Sequence, residues 1–395
     1  MAETANITTE DLLNLIKTLY GNRDFISLHE PAFSEREKQY VLDCVESTFV
    51  SSVGEYVNRF EESIRKYTGA SSAVAVVNGT QGLYAALYAI GVHAGDLVLT
   101  QALTFVATAN AIVYTGARPV FLDVDEDTLG LSPGALRNYL EKNARVVDGE
   151  CRHRISGAVI RAVVPMHTFG HGCHIAEIKT ICDEFQIDLI EDAAESLGTS
   201  IGDRHSGTFG RCGVFSFNGN KIITTGGGGM IVTDDEEIAA RLKHLTTTAR
   251  VADRYEFTHD EVGFNFRMPN LNAALGVAQM ERLDGILKAQ RDLAAIYERS
   301  LASAREFRFI KAPAHSNSNY WLNAIQFADR RGRDAFLELS NSRGVMTRPI
   351  WKPMHLLGIF ENDPGVDLTT TEYLYDRVVN ISSSINYDDS ARLPL

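Results

Sequence analysis

The chain has no excess of positive charge. Its 395 residues carry 38 Lys and Arg against 51 Asp and Glu, a net charge of -13, and no long basic stretch interrupts that balance. So acidic a surface repels the phosphates of nucleic acid and of anionic membranes, and neither is expected as a partner. A local pocket for a phosphorylated small molecule is still allowed. Cysteine is scarce: Cys44, Cys151, Cys173, Cys182 and Cys212 form an odd, scattered set with no C-x-x-C pair. That argues against a disulfide framework or a zinc ribbon and fits a reducing cytosol. No apolar run approaches the roughly 18 residues needed to span a bilayer. The opening MAETANITTEDLLNLIKTLY has acidic residues where a signal peptide has basic ones, so a soluble, cytoplasmic protein is expected. Repeats of fixed period and low-complexity tracts are also missing, which excludes solenoids and long linkers.

What is present is an ordinary globular composition, 45% hydrophobic and 23% charged, at a length where a single core stops growing. Thr9 ahead of Leu12, Leu13, Leu15, Ile16 and Leu19 predicts a capped amphipathic helix on an N-terminal arm, residues 1–33. Helical stretches at 34–48 and 56–67 then lead into short apolar runs at 73–77, 97–99, 119–122, 159–164 and 188–190. Helix-length segments such as 105–116, 132–142 and 175–185 separate them. That rhythm predicts an α/β domain with a large, mostly parallel sheet covered on both faces, residues 34–255. After a strand at 230–233 and a helix at 235–247 the rhythm changes. A long helix at 270–300, a strand at 320–327 and helices at 333–343 and 370–379 predict a smaller α+β domain, residues 256–395.

Ligands of open α/β sheets sit beyond the carboxyl ends of the strands, which makes the residues after each apolar run the candidates. Asn78-Gly79-Thr80-Gln81 opens a helix with a glycine and a hydroxyl, where free backbone N–H groups and the positive dipole end suit a phosphate. A capped helix start without a ligand is the plainer reading. Glu191 and Asp192 end an apolar strand, with Glu195 just beyond. A buried acid there needs a metal, an arginine or a protonated ring nitrogen, or simply a structural salt bridge. Lys221, flanked by small and apolar residues and followed by four glycines from Gly226 to Gly229, suits an amine that forms a Schiff base. Alone, it reads equally as a surface lysine beside a flexible hairpin. The run from His167 to His174 is dense in imidazole and thiol but has no partner ligands at metal-site spacing, so no metal site is expected.

A phosphate cradle near 80, an acid at 192 and a lysine without a charged neighbour at 221 match what pyridoxal phosphate requires: an amine for its aldehyde, an acid for its ring nitrogen and donors for its phosphate. From about Phe25 to Ser384 the chain resembles the DegT/DnrJ/EryC1/StrS sugar aminotransferases, which have the aspartate aminotransferase-like, fold type I architecture. The resemblance implies pyridoxal 5'-phosphate held by the turn at Gly79, Thr80 and Gln81, by stacking on Phe105, by Asp192 on the pyridine nitrogen and by Glu195 near the ring hydroxyl. It further implies Ser216 on the phosphate and Lys221 as the Schiff-base residue. Many relatives have Gln or His where Glu195 stands, and the Gly226 to Gly229 run departs from the commoner Gly-Glu-Gly-Gly.

The stretch from Gly263 to Met268 is similar to a motif whose asparagine, here Asn265, reaches the cofactor phosphate of a second subunit, which implies a homodimer with shared sites. The segment 348–355 resembles one lining a sugar-nucleotide pocket, with Arg348, Trp351 and His355 as substrate contacts. Residues 28–31 and 47–54 are similar to aminotransferases of legionaminic acid-type pathways. This implies transfer of an amino group, from L-glutamate, to C4 of a nucleotide-linked 2-acetamido-4-keto-6-deoxyhexose. The rivals are a Rossmann oxidoreductase, against which the lack of a G-x-G-x-x-G after the first strand tells, action on a 3-keto or GDP-linked sugar, and a catalytically silent protein of the same fold.

Overall fold

Apolar runs of five residues, too short for a helix and rich in Val, Ile and Leu, assemble a central seven-stranded sheet. Across the sheet the order is Ser72–Val76, Gly229–Thr233, Cys212–Ser216, Asp188–Asp192, Ile160–Val164, Leu97–Gln101 and Arg118–Leu122. Five consecutive strands, from Cys212–Ser216 to Arg118–Leu122, run parallel to one another, and Gly229–Thr233 runs antiparallel to both of its neighbours. The computed structural model describes residues 6–360, 363 and 365–385; the outer ends of the expected arm and small domain, 1–5 and 386–395, lie outside these.

Helices cover both faces, and their starts are chemically marked. Asn78, Ser132 and Asp235 each accept a first-turn backbone N–H with the side chain, satisfying one of the donors that a helix leaves open. A second sheet, ordered Phe307–Phe309, Asn323–Phe327, Val378–Ile381 and Arg348–Pro349, is antiparallel throughout. The apolar face of the arm helix Thr9–Leu19 packs Leu12, Leu13 and Ile16 into the core of this second unit, beside Tyr297, Phe336 and Ile381. Among the described residues no helix is long and apolar enough to cross a membrane, and all five cysteines are buried and free.

Three expectations are corrected. Thr8, not Thr9, caps the first helix, through a reciprocal box with Asp11. The long helix at 270–300 is two helices, Asn270–Met280 and Leu283–Ser300. Their junction is at Arg282, whose guanidinium is held by the buried Glu37 at 2.8 Å. The final helix stops at Tyr375, and the chain turns into the strand Val378–Ile381, because Val378, Val379 and Ile381 are all buried and follow a strand period. Cys212–Ser216, which the sequence reading did not mark as a strand, is a central one, parallel to Asp188–Asp192 and antiparallel to Gly229–Thr233. Gly213 has no side chain there because a Cβ would lie 1.9 Å from the carbonyl oxygen of Gly207.

Helix Asn270–Met280 also crosses helix Glu55–Thr68 closely, since a Cβ on Gly276 would stand 2.7 Å from the Phe60 ring. Phe60 in turn packs on Phe217, centroids 4.9 Å apart. We expect Gly276→Ala to lower the denaturation midpoint by about 1–3 kcal/mol of stability through overpacking, measured by chemical unfolding.

Candidate active site

Three carboxylates cluster at the end of strand Asp188–Asp192, and each meets a different environment. Glu191 is fully buried and accepts the backbone N–H groups of Gly207 (2.7 Å), Phe209 (2.5 Å) and Gly210 (2.8 Å). It also meets His167 Nε2 at 3.0 Å. Because the Cys173 N–H donates to His167 Nδ1, the imidazole proton sits on Nε2 and is donated to Glu191. Glu191 is therefore a structural clamp on the 207–210 loop.

Asp192 is buried on the other side of the strand. Its Oδ2 accepts from Thr108 Oγ1 at 2.7 Å and its Oδ1 from the Ala194 N–H at 3.1 Å. Burial raises its pKa, while these bonds and the positive charge of Lys221 oppose the rise.

Glu195, also buried, accepts the Phe169 N–H on Oε2 at 2.9 Å and faces Lys221 Nζ from Oε1 at 3.0 Å. Burial pushes its carboxyl up to about 7, and the lysine charge is what restrains it. Lys221 is no surface lysine: its side chain is 12% exposed, and its Nζ lies 3.8 Å from the centroid of the Trp321 ring. The sequence shows it without a charged neighbour; through space Glu195 supplies one. The positions of Glu195 and Trp321 depend on two residues in left-handed backbone, Phe169 (φ 58°) and Tyr320 (φ 50°). Asn319 ties that second loop down, donating to the carbonyls of Glu195 and Leu197 and accepting from the Trp321 N–H.

The turn at 78–81 stands where the sheet is most closely built. Asn78 Oδ1 accepts the Gln81 N–H, while the remaining N–H groups of the first turn have no acceptor within the helix. A Cβ on Gly229 would lie 2.7 Å from the Asn78 carbonyl carbon, and one on Gly79 would lie 3.0 Å from Ser216 Cβ. The turn therefore touches Ser216 through Gly79 and Gly229 through Asn78.

Phe105, half exposed at the start of helix Val106–Tyr114, lies edge-on to Trp351, which also packs on Phe169. Trp351 and Phe169 belong with Leu28 and Trp321 to one apolar cluster, and Phe105 extends that wall through its contact with Trp351. Arg348 and His355 are directed elsewhere. The Arg348 guanidinium bonds Asn341 Oδ1 and the Thr347 carbonyl, and His355 Nε2 lies 3.3 Å from Glu372. Asn265 is exposed, on a segment held beside the first strand by the Val77 N–H to Phe266 carbonyl bond. The imidazoles of the 167–174 run point apart: His167 to Glu191, His171 to Ser318 and His174 to Asp127.

Thr108, Asn319 and Trp321 were not singled out in the sequence, since each is an ordinary residue made functional by a distant contact. His29 belonged to a quoted motif but carried no role. It now lies near Lys221: burial, with a contribution from the lysine charge, depresses its pKa to about 4, and its Nε2 meets Gln290.

An amine buried beside an acid, a second buried acid whose bonds come from neutral donors, and a side-chain-free helix start together fit pyridoxal 5'-phosphate: Lys221 for the aldehyde, Asp192 for the ring nitrogen, and the turn at Gly79 with Ser216 for the phosphate. Fold and site define a pyridoxal phosphate-dependent enzyme of the aspartate aminotransferase-like class. The model of the DegT/DnrJ/EryC1/StrS aminotransferase family matches residues 31–391, and the chain belongs to that family. It is 36% identical over 345 residues to a GDP-perosamine synthase of Vibrio cholerae, covering 85% of this chain and 88% of the other. Among solved structures it is similar to the aminotransferase TlmJ from Streptoalloteichus hindustanus (TM-score 0.83, 28% identity, 93% and 95% of the chains covered). It is also similar to DesI, solved with its TDP-sugar product (TM-score 0.80, 26% identity, 93% and 91% covered).

Two predictions follow from the burial around the strand end. Glu191→Ala leaves three buried N–H groups and His167 without their acceptor, and we expect a stability loss of about 3–5 kcal/mol, read by denaturant unfolding. Burial also depresses the pKa of His171 and His205 to about 4. Between about 4 and the unfolded value of about 6.5 the unfolded chain then binds more protons, so stability rises with pH through that window and falls on acidification. Melting temperatures between pH 7 and pH 5 check this: we expect a decline, and a shallower one in His205→Asn.

Proposed function

We propose that the enzyme moves an amino group from L-glutamate to C4 of a nucleotide-linked 4-keto-6-deoxyhexose, with a 2-acetamido sugar as the preferred acceptor. In this reading it works as a homodimer with shared sites, in biosynthesis of surface amino sugars or nonulosonic acids. The observation that carries the reading is the placement of Lys221 Nζ, 3.0 Å from Glu195 and over Trp321, at the end of the strand that bears the buried Asp192.

Asp192, oriented by Thr108 and the Ala194 N–H, would hold the ring nitrogen of the cofactor and keep it protonated. The bound cofactor supplies the electron sink that makes an α-carbon proton of the amino acid removable. Lys221 Nζ, once free, is the base that takes this proton and returns it to the neighbouring carbon. The Phe105, Trp351 and Phe169 wall excludes water from this transfer and gives the apolar face of a 6-deoxy sugar a surface to lie on. Asn265, exposed on a single chain, is placed in this reading against the phosphate of the partner subunit. Arg348 and His355 approach a nucleotide sugar only after leaving Asn341 and Glu372.

The GDP-linked name of one relative and the TDP-sugar of another support a nucleotide sugar without agreeing on the nucleotide. A single-turnover screen resolves this. Enzyme carrying the cofactor in its amine form is offered UDP-, GDP- and TDP-linked 4-keto and 3-keto sugars, and the return of the lysine-bound cofactor absorbance is followed. We expect a nucleotide-linked 4-keto-6-deoxy sugar to restore it fastest, and the comparison of the three nucleotides reads which one is used. Restoration by a 3-keto sugar alone redirects the substrate, and no response to glutamate or any ketosugar leaves a silent binding protein. Lys221→Ala should lose turnover by several orders of magnitude. Coexpressed with Asn265→Ala, it should recover activity that neither variant has alone; a mixture no better than its parts removes the shared site.

A further inference from the structure

Asp192 is charged only against a cost. Burial raises its pKa, and the charges around it are spent elsewhere. Lys221, from the loop after strand Cys212–Ser216, favours the carboxylate but is engaged with Glu195 at 3.0 Å. His167, at the end of the neighbouring strand, also favours it but is committed to Glu191. Glu195 has the same sign as Asp192 and opposes it. What remains are neutral donors: the Ala194 N–H on Oδ1 and the Thr108 hydroxyl on Oδ2. Behind Thr108 lies one more hydroxyl. Thr104 is fully buried, with Oγ1 2.9 Å from Thr108 Oγ1 and 3.0 Å from Met166 Sδ. A threonine beside a helix start ordinarily caps it, yet helix Val106–Tyr114, which begins two residues on, has no side-chain cap. The Thr104 hydroxyl is turned inward instead, toward the acid.

We propose that Thr104 is a positioning residue for Asp192: its hydroxyl donates to Thr108, commits the Thr108 proton to Oδ2, and so holds the acid as a carboxylate ready for the ring nitrogen. The inference rests on the reading of Asp192 as the acid that faces the ring nitrogen of the cofactor. Each hydroxyl has one proton to give and lone pairs to receive. The Thr108 proton has two acceptors in reach, Asp192 at 2.7 Å and Thr104 at 2.9 Å, and the charged one binds it more strongly. The Thr104 proton then chooses between an oxygen and a thioether sulfur, a weak acceptor, and goes to Thr108. The three side chains thus form a chain that runs one way, from Thr104 through Thr108 to Asp192, in which each bond polarises the next. Protonation of Asp192 undoes it. A proton on Oδ2 reverses both hydroxyls and ends the chain on the Met166 sulfur, whereas a proton on Oδ1 leaves Thr108 donating to a neutral oxygen. Either outcome weakens the chain, so the chain favours the charged acid against its burial.

The proton affinity of Asp192 in the full-length chain, freed of cofactor, tests this without reference to turnover. On acidification, infrared difference spectroscopy shows the carbonyl stretch of each carboxyl as it takes up a proton, and the band missing from Asp192→Asn is that of Asp192. A carboxylate that loses a donor holds its proton to higher pH, so we expect Thr104→Val, which keeps the shape, to raise the midpoint of that band by about half to one pH unit. Thr108→Val should raise it further, and Thr104→Ser, which restores the hydroxyl, should return it to the wild-type position. An unmoved midpoint in Thr104→Val, or a Thr104→Ser that behaves as Thr104→Val, overturns the inference. Were Thr104→Val to fail to fold, Thr104→Ala is read in the same way. The site reading is checked separately, by nuclear magnetic resonance of wild type and Asp192→Asn loaded with pyridoxal phosphate isotopically labelled at its ring nitrogen. A ring-nitrogen signal that is the same in both overturns the site reading and this inference together, whereas a signal that changes, with an unmoved midpoint in Thr104→Val, overturns the inference only.

Discussion

Three carboxylates leave water together at the end of one strand, and the surrounding structure is arranged by the need to answer each charge where it stands. Glu191 takes three backbone donors and an imidazole, Asp192 a hydroxyl and one amide, and Glu195 one amide and an ammonium. This gradation separates structure from chemistry. The acid with every lone pair engaged by fixed groups is a clamp, whereas the other two keep room for a further cationic or protic partner, which for Glu195 is Lys221.

The donors come at a conformational cost. Phe169 and Tyr320 both occupy left-handed backbone, which for a residue with a side chain costs about 1–2 kcal/mol. The strain is local and purposeful in its effect: it aims the Phe169 N–H at Glu195 and turns Trp321 so that its ring lies over the lysine. The second unit thereby takes part in the chemistry of the first. Its loop at 319–321 is bonded to the carbonyls of residues 195 and 197, so the ring over Lys221 is held by the same backbone that carries Glu195.

The α/β rhythm, the turn at 78–81, the acids at 191–195 and Lys221 were legible in the sequence because each rests on local signals: apolar runs, a cap, a charge at a strand end. What escaped it was relational. Nothing local distinguishes Glu191 from Asp192, and only the arrival of the 207–210 amides on one side of the strand makes one structural. Cys212–Ser216 hid as a strand because its Gly213 is demanded by the backbone of Gly207 rather than by strand propensity. The break at Arg282 escaped because helical periodicity continues across it; a buried partner at Glu37 sets the junction. Trp351, expected with Arg348 and His355 in one pocket, meets Phe105, whereas Arg348 and His355 turn to other partners.

The position of the antiparallel strand has a bearing on how the molecule is made. Ser72–Val76, which delivers the turn at 78–81, has one neighbour in its sheet, Gly229–Thr233, paired from Ser72 with Thr233 to Val76 with Gly229. A chain emerging from the ribosome therefore holds that first strand unpaired until nearly the whole of the large sheet has followed it. So non-local a closure is slow by its topology. The turn at 78–81 is accordingly among the last features of the sheet to be fixed in place.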